Sequence, residues 1–276
     1  MKLGVQPGST FHLTECFGPV LGVMRAKDLD QAIEWQNLPA YGLTGGLQSL
    51  DPAEIAYWTD HVAVGNAYIN RHMTGAIVQR QPFGGWKRSV VGPGAKAGGP
   101  RYVASLGHWR VVGDVDRAAL PEQFRAWWHD AMSEAVDRTG LRAERNLFRC
   151  CPLRGGVLVR AGDEVSDDDV EIALLAARTA GVPATVSSPR ERPDIDAAVR
   201  VEDEATLASR LAAVDVDKLR LLGRADDALR LAALDAGIWL DDIAVQPDAR
   251  LELYRWVREQ AISETRHRHG NVIATP

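Results

Sequence analysis

The sequence predicts an α/β protein built in two parts, and three observations carry that prediction. Between residues 20 and 70, short apolar runs alternate with helical patterns in the order strand, helix, strand, helix, strand. That order defaults to a parallel sheet with crossover helices. Residues 71–100 then lose any regular apolar period and fill with glycine. From Val157 the alternation resumes, predicting a second α/β unit with Rossmann-like layering.

The elements follow in order. Residues 1–12 hold Pro7-Gly8-Ser9 and no helix entry. Residues 20–24 (VLGVM) read as a buried strand. Residues 29–37 read as a helix with Leu29, Ala32 and Ile33 on one face and Pro39 ending it. Residues 43–50 read as a strand through Gly45-Gly46. Residues 52–61 read as a second helix, capped by Asp51, with Pro52 at its first position and Ile55 and Trp58 on the inner face. Residues 62–70 read as a third strand.

The long stretch after Asn70 is functional or disordered if it lies inside a compact domain, and its fixed turns argue against disorder. In Gln81-Pro82-Phe83-Gly84-Gly85-Trp86-Lys87, Pro82 fixes one backbone angle and removes a donor. Gly84 and Gly85 admit conformations that side chains forbid. Phe83 is thereby placed so that its ring can form a wall; a plain Pro-Gly turn with a buried Phe reads the same way.

Residues 111–120 are a candidate boundary. Residues 121–140 read as an amphipathic helix, with Phe124, Trp128, Met132, Ala135 and Val136 at helical spacing. Residues 157–159 read as a strand. Ser166 with Asp169 resembles a capping box, opening a helix that runs to about 180 and ends at Gly181. Strands are predicted at 184–187, 198–201, 219–222 and 238–240, and helices at 204–214, 225–236 and 247–263. This half carries no glycine fingerprint, metal spacing or nucleophile elbow.

Composition narrows the classes. The 276 residues are 46% hydrophobic and 25% charged, with a net charge of −5 and a pI of about 5.8. No basic stripe of the kind a nucleic-acid binder shows is visible. No apolar run is long enough to span a membrane, and no secretory signal opens the chain. Three cysteines, Cys16, Cys150 and Cys151, make neither a disulfide framework nor a zinc spacing, which points to a reducing cytoplasm. Cys150-Cys151 could be a strained redox pair or two small buried thiols.

Four stretches then converge: Glu15-x-Phe17-Gly18-Pro19-Val20, Asn37-x-x-x-Tyr41-Gly42-Leu43-Thr44, Gly65-Asn66-x-Tyr68-x-Asn70 and Pro82-Phe83-Gly84-Gly85-x-Lys87-x-Ser89. In this order and spacing they resemble the C-terminal part of the aldehyde dehydrogenase catalytic domain. Asn70-Arg71-x-x-Thr74-Gly75-Ala76-Ile77-Val78 and Gly92-Pro93-x-Ala95-Lys96-Ala97-Gly98-Gly99-Pro100 resemble, within that superfamily, the L-glutamate-γ-semialdehyde (1-pyrroline-5-carboxylate) dehydrogenases. These include the bifunctional, proline dehydrogenase-fused (PutA-type) enzymes. The tail, Glu259-Gln260-x-x-Ser263-x-x-x-His267-Arg268-His269-Gly270-Asn271, resembles the end of the long fused enzymes, where an added noncatalytic aldehyde-dehydrogenase-like domain occurs and the last segment helps seal an internal cavity.

The resemblance implies a partial aldehyde dehydrogenase catalytic domain over 1–110, a linker over 111–120, an accessory α/β domain over 121–262 and a tail over 263–276. It implies that Glu15 accepts from the ribose hydroxyls of NAD and Phe17 packs on that cofactor. Gly75 and Ala76 offer backbone N–H groups to the α-carboxylate of the small-molecule substrate, L-glutamate γ-semialdehyde. Phe83 walls the aldehyde pocket.

The family reaction needs a cysteine thiolate to attack the aldehyde and donors for the oxyanion. None of the three cysteines occupies that motif, so no catalytic residue is assigned and the chain is expected to be inactive alone. Gly92-x-Gly94-x-x-Ala97 imitates a phosphate fingerprint but follows a loop and opens no helix. His267 and His269 lack a third metal ligand, and Arg255, Arg258, Arg266 and Arg268 read as a cationic helix end. The readings left open are half of a split enzyme paired with a separately encoded N-terminal half, a noncatalytic oligomerisation module forming a homo-oligomer, and a truncated gene product.

Overall fold

The computed structural model describes residues 1–78, 80–90, 94–268 and 271–272. It opens with a short strand, β1 (Lys2–Leu3), a four-residue helix, α1 (Thr10–Leu13), and β2 (Gly22–Val23), which pairs in parallel with β1. Ser9 caps α1, its side chain accepting from the His12 amide, so a helix does enter within 1–12. The strand predicted over 20–24 shrinks to two exposed residues. Val20 and Leu21 are 50% and 57% exposed, so among the described residues that apolar run is not covered.

The next elements follow the local signals. In α2 (Leu29–Asn37) the Asp28 side chain accepts from the Gln31 amide, and Ile33 is buried. β3 (Tyr41–Gly42) and β4 (Thr44–Leu47) precede α3 (Pro52–His61). Asp51 caps α3, and Trp58 is buried on its inner face. β5 (Asn66–Ile69) is buried throughout and parallel to β4. Ile33, Trp58, Val62, Val64, Ala67, Ile69 and Ile262 form the core here. β6 (Trp86–Lys87) pairs antiparallel with β3.

The helix predicted over 121–140 is shorter. α4 (Leu120–Trp127) passes into a π-helical turn at Trp128–Met132 and is followed by β7 (Val136–Asp137). Phe124 and Met132 are buried as the stripe required, but Val136 is 43% exposed on a strand. Pairing of Val136 with Phe148 across an antiparallel hairpin overrides helical periodicity there. The second arm of that hairpin is β8 (Glu144–Pro152), which no periodicity announced.

From β9 (Val157–Ala161) onward the chain is regular. In α5 (Asp167–Ala180) the Ser166 hydroxyl accepts from the Asp169 amide, and Gly181, at φ 68°, ends the helix. β10 (Ala184–Ser188), β11 (Val199–Val201), α6 (Glu204–Arg210), β12 (Lys218–Leu222), α7 (Asp227–Asp235) and β13 (Trp239–Asp241) follow. The strands form a parallel sheet in the order β11-β10-β9-β12-β13.

The predicted helix over 247–263 is the main correction. α8 (Ala249–Glu252) gives way to a 3-10 turn at Leu253–Trp256 and then to β14 (Val257–Thr265). Six of the nine residues of β14 are buried. A strand covered on both faces loses the alternation that would reveal it. Arg255 and Arg258 therefore sit in a turn and a strand, not at a helix end. β14 pairs in parallel with β5, Ala261 opposite Asn66, inside a sheet ordered β4-β5-β14-β8-β7. A last pair, β15 (His267–Arg268) and β16 (Asn271–Val272), is antiparallel.

The chain divides into two units that interleave. One takes residues Met1–Val103, Ala135–Arg149 and Glu259–Pro276; the other takes Ala104–Glu134 and Cys150–Arg258. The contiguous division expected from sequence (1–110, 111–120, 121–262, 263–276) separated strands that share one sheet. No helix among the described residues is long and apolar enough to cross a membrane.

Candidate substrate-binding site

The loop after β5 is held at both ends. Asn70, at φ 56°, turns the chain and bonds both backbone groups of Ser49, accepting from its amide at 3.0 Å and donating to its carbonyl at 2.8 Å. The buried Tyr68 hydroxyl donates to the Gly75 carbonyl at 2.9 Å. Burial raises the Tyr68 pKa against the opposing pull of Arg71, so the phenol stays a neutral donor. Gly75 lies at φ 76°, where a side chain would be strained. The Ile77 amide donates to Gln81 Oε1 at 2.8 Å. Among the described residues, the Gly75 and Ala76 amides donate to no protein acceptor, and both residues are exposed. Successive free amides at such a turn form a concavity suited to an anion.

Gln81 is itself fixed. Its Nε2 donates to Asn146 Oδ1 at 2.9 Å and to Ser263 Oγ at 3.2 Å. Ser263 Oγ donates to Asn146 Oδ1 at 2.7 Å and accepts from Arg71 Nη1 at 2.6 Å. All three, Gln81, Asn146 and Ser263, are buried. Glu144 stands 3.6 Å from both Arg71 and Arg80.

Below this, Phe83 is half-buried and exchanges both backbone bonds with Ala97 at 2.9 Å. The segment is tightly packed: a Cβ at Gly65 would collide with the Gly84 carbonyl. Lys96 is buried, its Nζ donating to Asn66 Oδ1 at 3.1 Å and to the Gly84 carbonyl. Glu259 accepts from the Lys96 amide at 2.8 Å and from Arg101 Nε at 3.0 Å, and its carbonyl accepts from Trp86 Nε1 at 2.7 Å. A cleft of about 520 Å³ opens beside the loop, lined by Val78, Arg80, Pro82, Gly99, Asn146 and Phe148 among others.

The predicted site residues divide accordingly. Gly75, Ala76 and Phe83 lie on one pinned loop. Glu15 and Phe17 lie on the exposed segment near β2, and Phe17 is 99% exposed, so its ring packs on nothing here. A carboxylate and an aromatic ring suit a ribose and a flat cofactor, but on an open surface they enclose neither; the described residues do not fit a dinucleotide by themselves. The second unit offers no substitute. At the point between β9 and β12 where this strand order can hold a phosphate, the Glu164 carboxylate accepts from the Arg224 amide at 2.8 Å and fills the space that a Cβ at Gly162 or Gly223 would need. Cys16 is exposed, Cys150 and Cys151 belong to the second unit, and none is in a disulfide. Among the described residues no cluster could hold a metal. His269 and Gly92 lie outside the described residues.

Sequence reasoning gave no role to Tyr68, Gln81, Asn146 or Ser263. Gln81 and Ser263 stood inside motifs, but their link spans 182 residues and rests on β14 being a strand.

Residues 1–112 match the aldehyde dehydrogenase family. More narrowly, the chain is 40% identical over 141 residues to the bifunctional protein PutA of Rhizobium meliloti, covering 49% of this chain and 11% of that protein. It is 46% identical over 99 residues to a 1-pyrroline-5-carboxylate dehydrogenase of Geobacillus sp. (strain WCH70), covering 36% and 19%. A solved structure of proline utilization A (PutA) from Corynebacterium freiburgense matches with a TM-score of 0.78 and 39% identity, over 98% of this chain and 28% of that one. The chain therefore spans less than a third of the length of each of these relatives.

Proposed function

We propose that these residues are the C-terminal portion of an NAD-dependent L-glutamate γ-semialdehyde dehydrogenase of proline catabolism, acting in the cytoplasm. The observation that carries this reading is the pinned turn with two free amides at Gly75 and Ala76. Those amides bind the α-carboxylate of the semialdehyde, and the glycine lets the backbone approach it. Tyr68 and Gln81 hold the turn open between them. Phe83 walls the aldehyde side. In the complete enzyme Glu15 and Phe17 would supply one wall for NAD, which would serve as the hydride acceptor.

The 276 residues do not turn over the semialdehyde alone, because none of their cysteines is placed on the anchor loop's unit except the exposed Cys16. The apolar surface at Leu3, Phe17, Leu21 and Val78 favours a covering polypeptide. That polypeptide is the N-terminal part of an aldehyde dehydrogenase domain or, in a second reading, another copy of this chain in a noncatalytic oligomer.

An NADH-forming assay tests the reading. The purified chain shows no semialdehyde oxidation, and co-expression with a family N-terminal fragment bearing the nucleophile restores it. Cysteine-dependent turnover by the chain alone sinks the proposal of incompleteness; stable oligomers with no restored activity favour the second reading.

A further inference from the structure

We propose that Ser263 and Asn146 are positioning residues for the carboxylate-binding turn, acting through Gln81; this rests on the reading of Gly75 and Ala76 above. The turn has few contacts of its own. Its Gly75 carbonyl is held by Tyr68, which comes from the adjacent β5. At its other end the Ile77 carbonyl accepts from the Arg80 and Gln81 amides at 2.9 and 3.1 Å, and the one side-chain bond runs from the Ile77 amide to Gln81 Oε1 at 2.8 Å. An amide side chain can hold that geometry only if its own Nε2 is fixed, since the group rotates freely otherwise. The two acceptors that fix it come from distant parts of the chain, Asn146 on β8 and Ser263 on β14.

The orientation of each group in the chain of bonds follows from its neighbours. Arg71 can only donate, so the Ser263 oxygen accepts from Nη1 and its hydroxyl proton turns to Asn146 Oδ1. That oxygen also accepts from Gln81 Nε2, which forces Gln81 to present Oε1 to Ile77. The Asn146 amide nitrogen is directed the other way, donating to Glu144 at 3.2 Å and to Thr139 Oγ1 at 3.4 Å. The Asn146 backbone is set by Asp137, whose second carboxylate oxygen accepts from its amide at 2.9 Å. Burial opposes the Asp137 charge, but the bonds from Thr139, Asn146 and Gly140 outweigh it and lower its pKa. All three central side chains are buried, so water cannot take the place of a lost partner. Substrate affinity at residues 75–76 thus depends on the register of a strand that follows almost two hundred residues later.

Amide hydrogen exchange on the full 276-residue chain tests this without turnover. In Ser263→Ala the Ile77 amide exchanges about tenfold faster, the loss expected for one hydrogen bond, while α3 and α5 keep wild-type rates. Gln81→Met, which breaks the link from the other end at similar volume, gives the same local change. Ser263→Thr, which keeps the hydroxyl, stays near wild type. Equal exchange in wild type and both breaking variants overturns the proposal, as does uniform acceleration across α3 and β5, or a Thr variant as fast as the Ala variant. L-glutamate, carrying the same α-carboxylate, separates this from the underlying reading. It protects residues 73–78 of the wild-type chain, and Ser263→Ala weakens its binding about tenfold. Absence of protection in the wild type defeats the carboxylate reading, while the exchange comparison still decides the positioning role.

Discussion

The two five-stranded sheets are built from opposite economies of chain. β11-β10-β9-β12-β13 draws all its strands from residues 157–241, each delivered by a short crossover. β4-β5-β14-β8-β7 draws its strands from three separate stretches, with β14 between β5 and β8. The first sheet uses a continuous apolar core: Val159, Val170, Ala173 and Ala177 among others are fully or nearly fully buried. Both carry buried polar ties, but those of the first, Lys218 and Arg220 with Asp241 and Glu252, join residues at most 32 positions apart, whereas those of the second, Gln81, Asn146 and Ser263 on one side and Glu259 with Arg101 and Lys96 on another, reach across as many as 182. Apolar burial is non-directional and tolerates local variation. Hydrogen-bonded networks specify one register, because each buried partner left alone is costly. A sheet assembled from distant segments that must also fix a binding turn gains from that specificity.

Removing a buried carboxylate tests the contrast most severely. Glu259 pairs with Arg101 at 3.0 Å, their side chains 1% and 9% exposed, and Glu252 pairs with Arg220 at 3.1 Å, both 0% exposed. Glu259→Ala and Glu252→Ala each remove one carboxylate from a buried guanidinium, a loss of up to about 3–5 kcal/mol. Urea titration followed by hydrogen exchange should show Glu259→Ala releasing β5 and Glu252→Ala releasing α5. If Glu259→Ala loosens α5 as much as β5, the two sheets are not separable in energy and the comparison fails.

A smaller effect sharpens the charged side of the contiguous sheet. Burial pushes the Asp241 carboxyl up, but Arg220, Lys218 and Arg255 outweigh it and lower it to about 2 from an ordinary 3.8. A folded-state value below the unfolded one gives stability that is full above pH 4 and lost as pH falls through about 2. The linked contribution is about 2 kcal/mol. Asp241→Asn should therefore lie well below wild type in stability at pH 6, with the gap narrowing between pH 4 and 2. A gap independent of pH across that window would show that the carboxylate's charge is not what the three cations hold.

The smallest effects are local. Ser166→Ala and Asp51→Ala each remove a side chain that accepts from a first-turn amide, costing about 1 kcal/mol. Thermal unfolding should register both, with no change at residues 75–78. A change there on Asp51→Ala would mean that α3 also supports the binding turn.

These effects track what could be read in advance. Helices with a cap and a stop, such as α3 after Asp51-Pro52 and α5 between Ser166 and Gly181, were legible to the residue, because caps and left-handed stops are satisfied by neighbours a few positions away. β14 was not. Its residues 257–265 are buried on nearly every side, so their pattern fits a buried helix as well as a central strand. β8 was missed for a different reason. Arg145, Arg149 and Asn146 find their partners, Glu264, Asp60 and Gln81, far along the chain, and without those partners the stretch looks like a polar loop. Of the candidate site, Gly75, Ala76 and Phe83 were visible as a glycine- and proline-shaped loop, and Gln81 was visible without its role.

What the sequence determined by itself is the local grammar: the α/β class, the capped helices, the left-handed glycines and the motifs whose stretch, residues 1–112, matches the aldehyde dehydrogenase family. The tertiary structure alone decided that β14 completes the sheet around β5 and how the binding turn is held. Those depend on bonds across 65 to 182 positions, and a pattern along the chain carries no information about a partner that only folding brings within hydrogen-bonding distance.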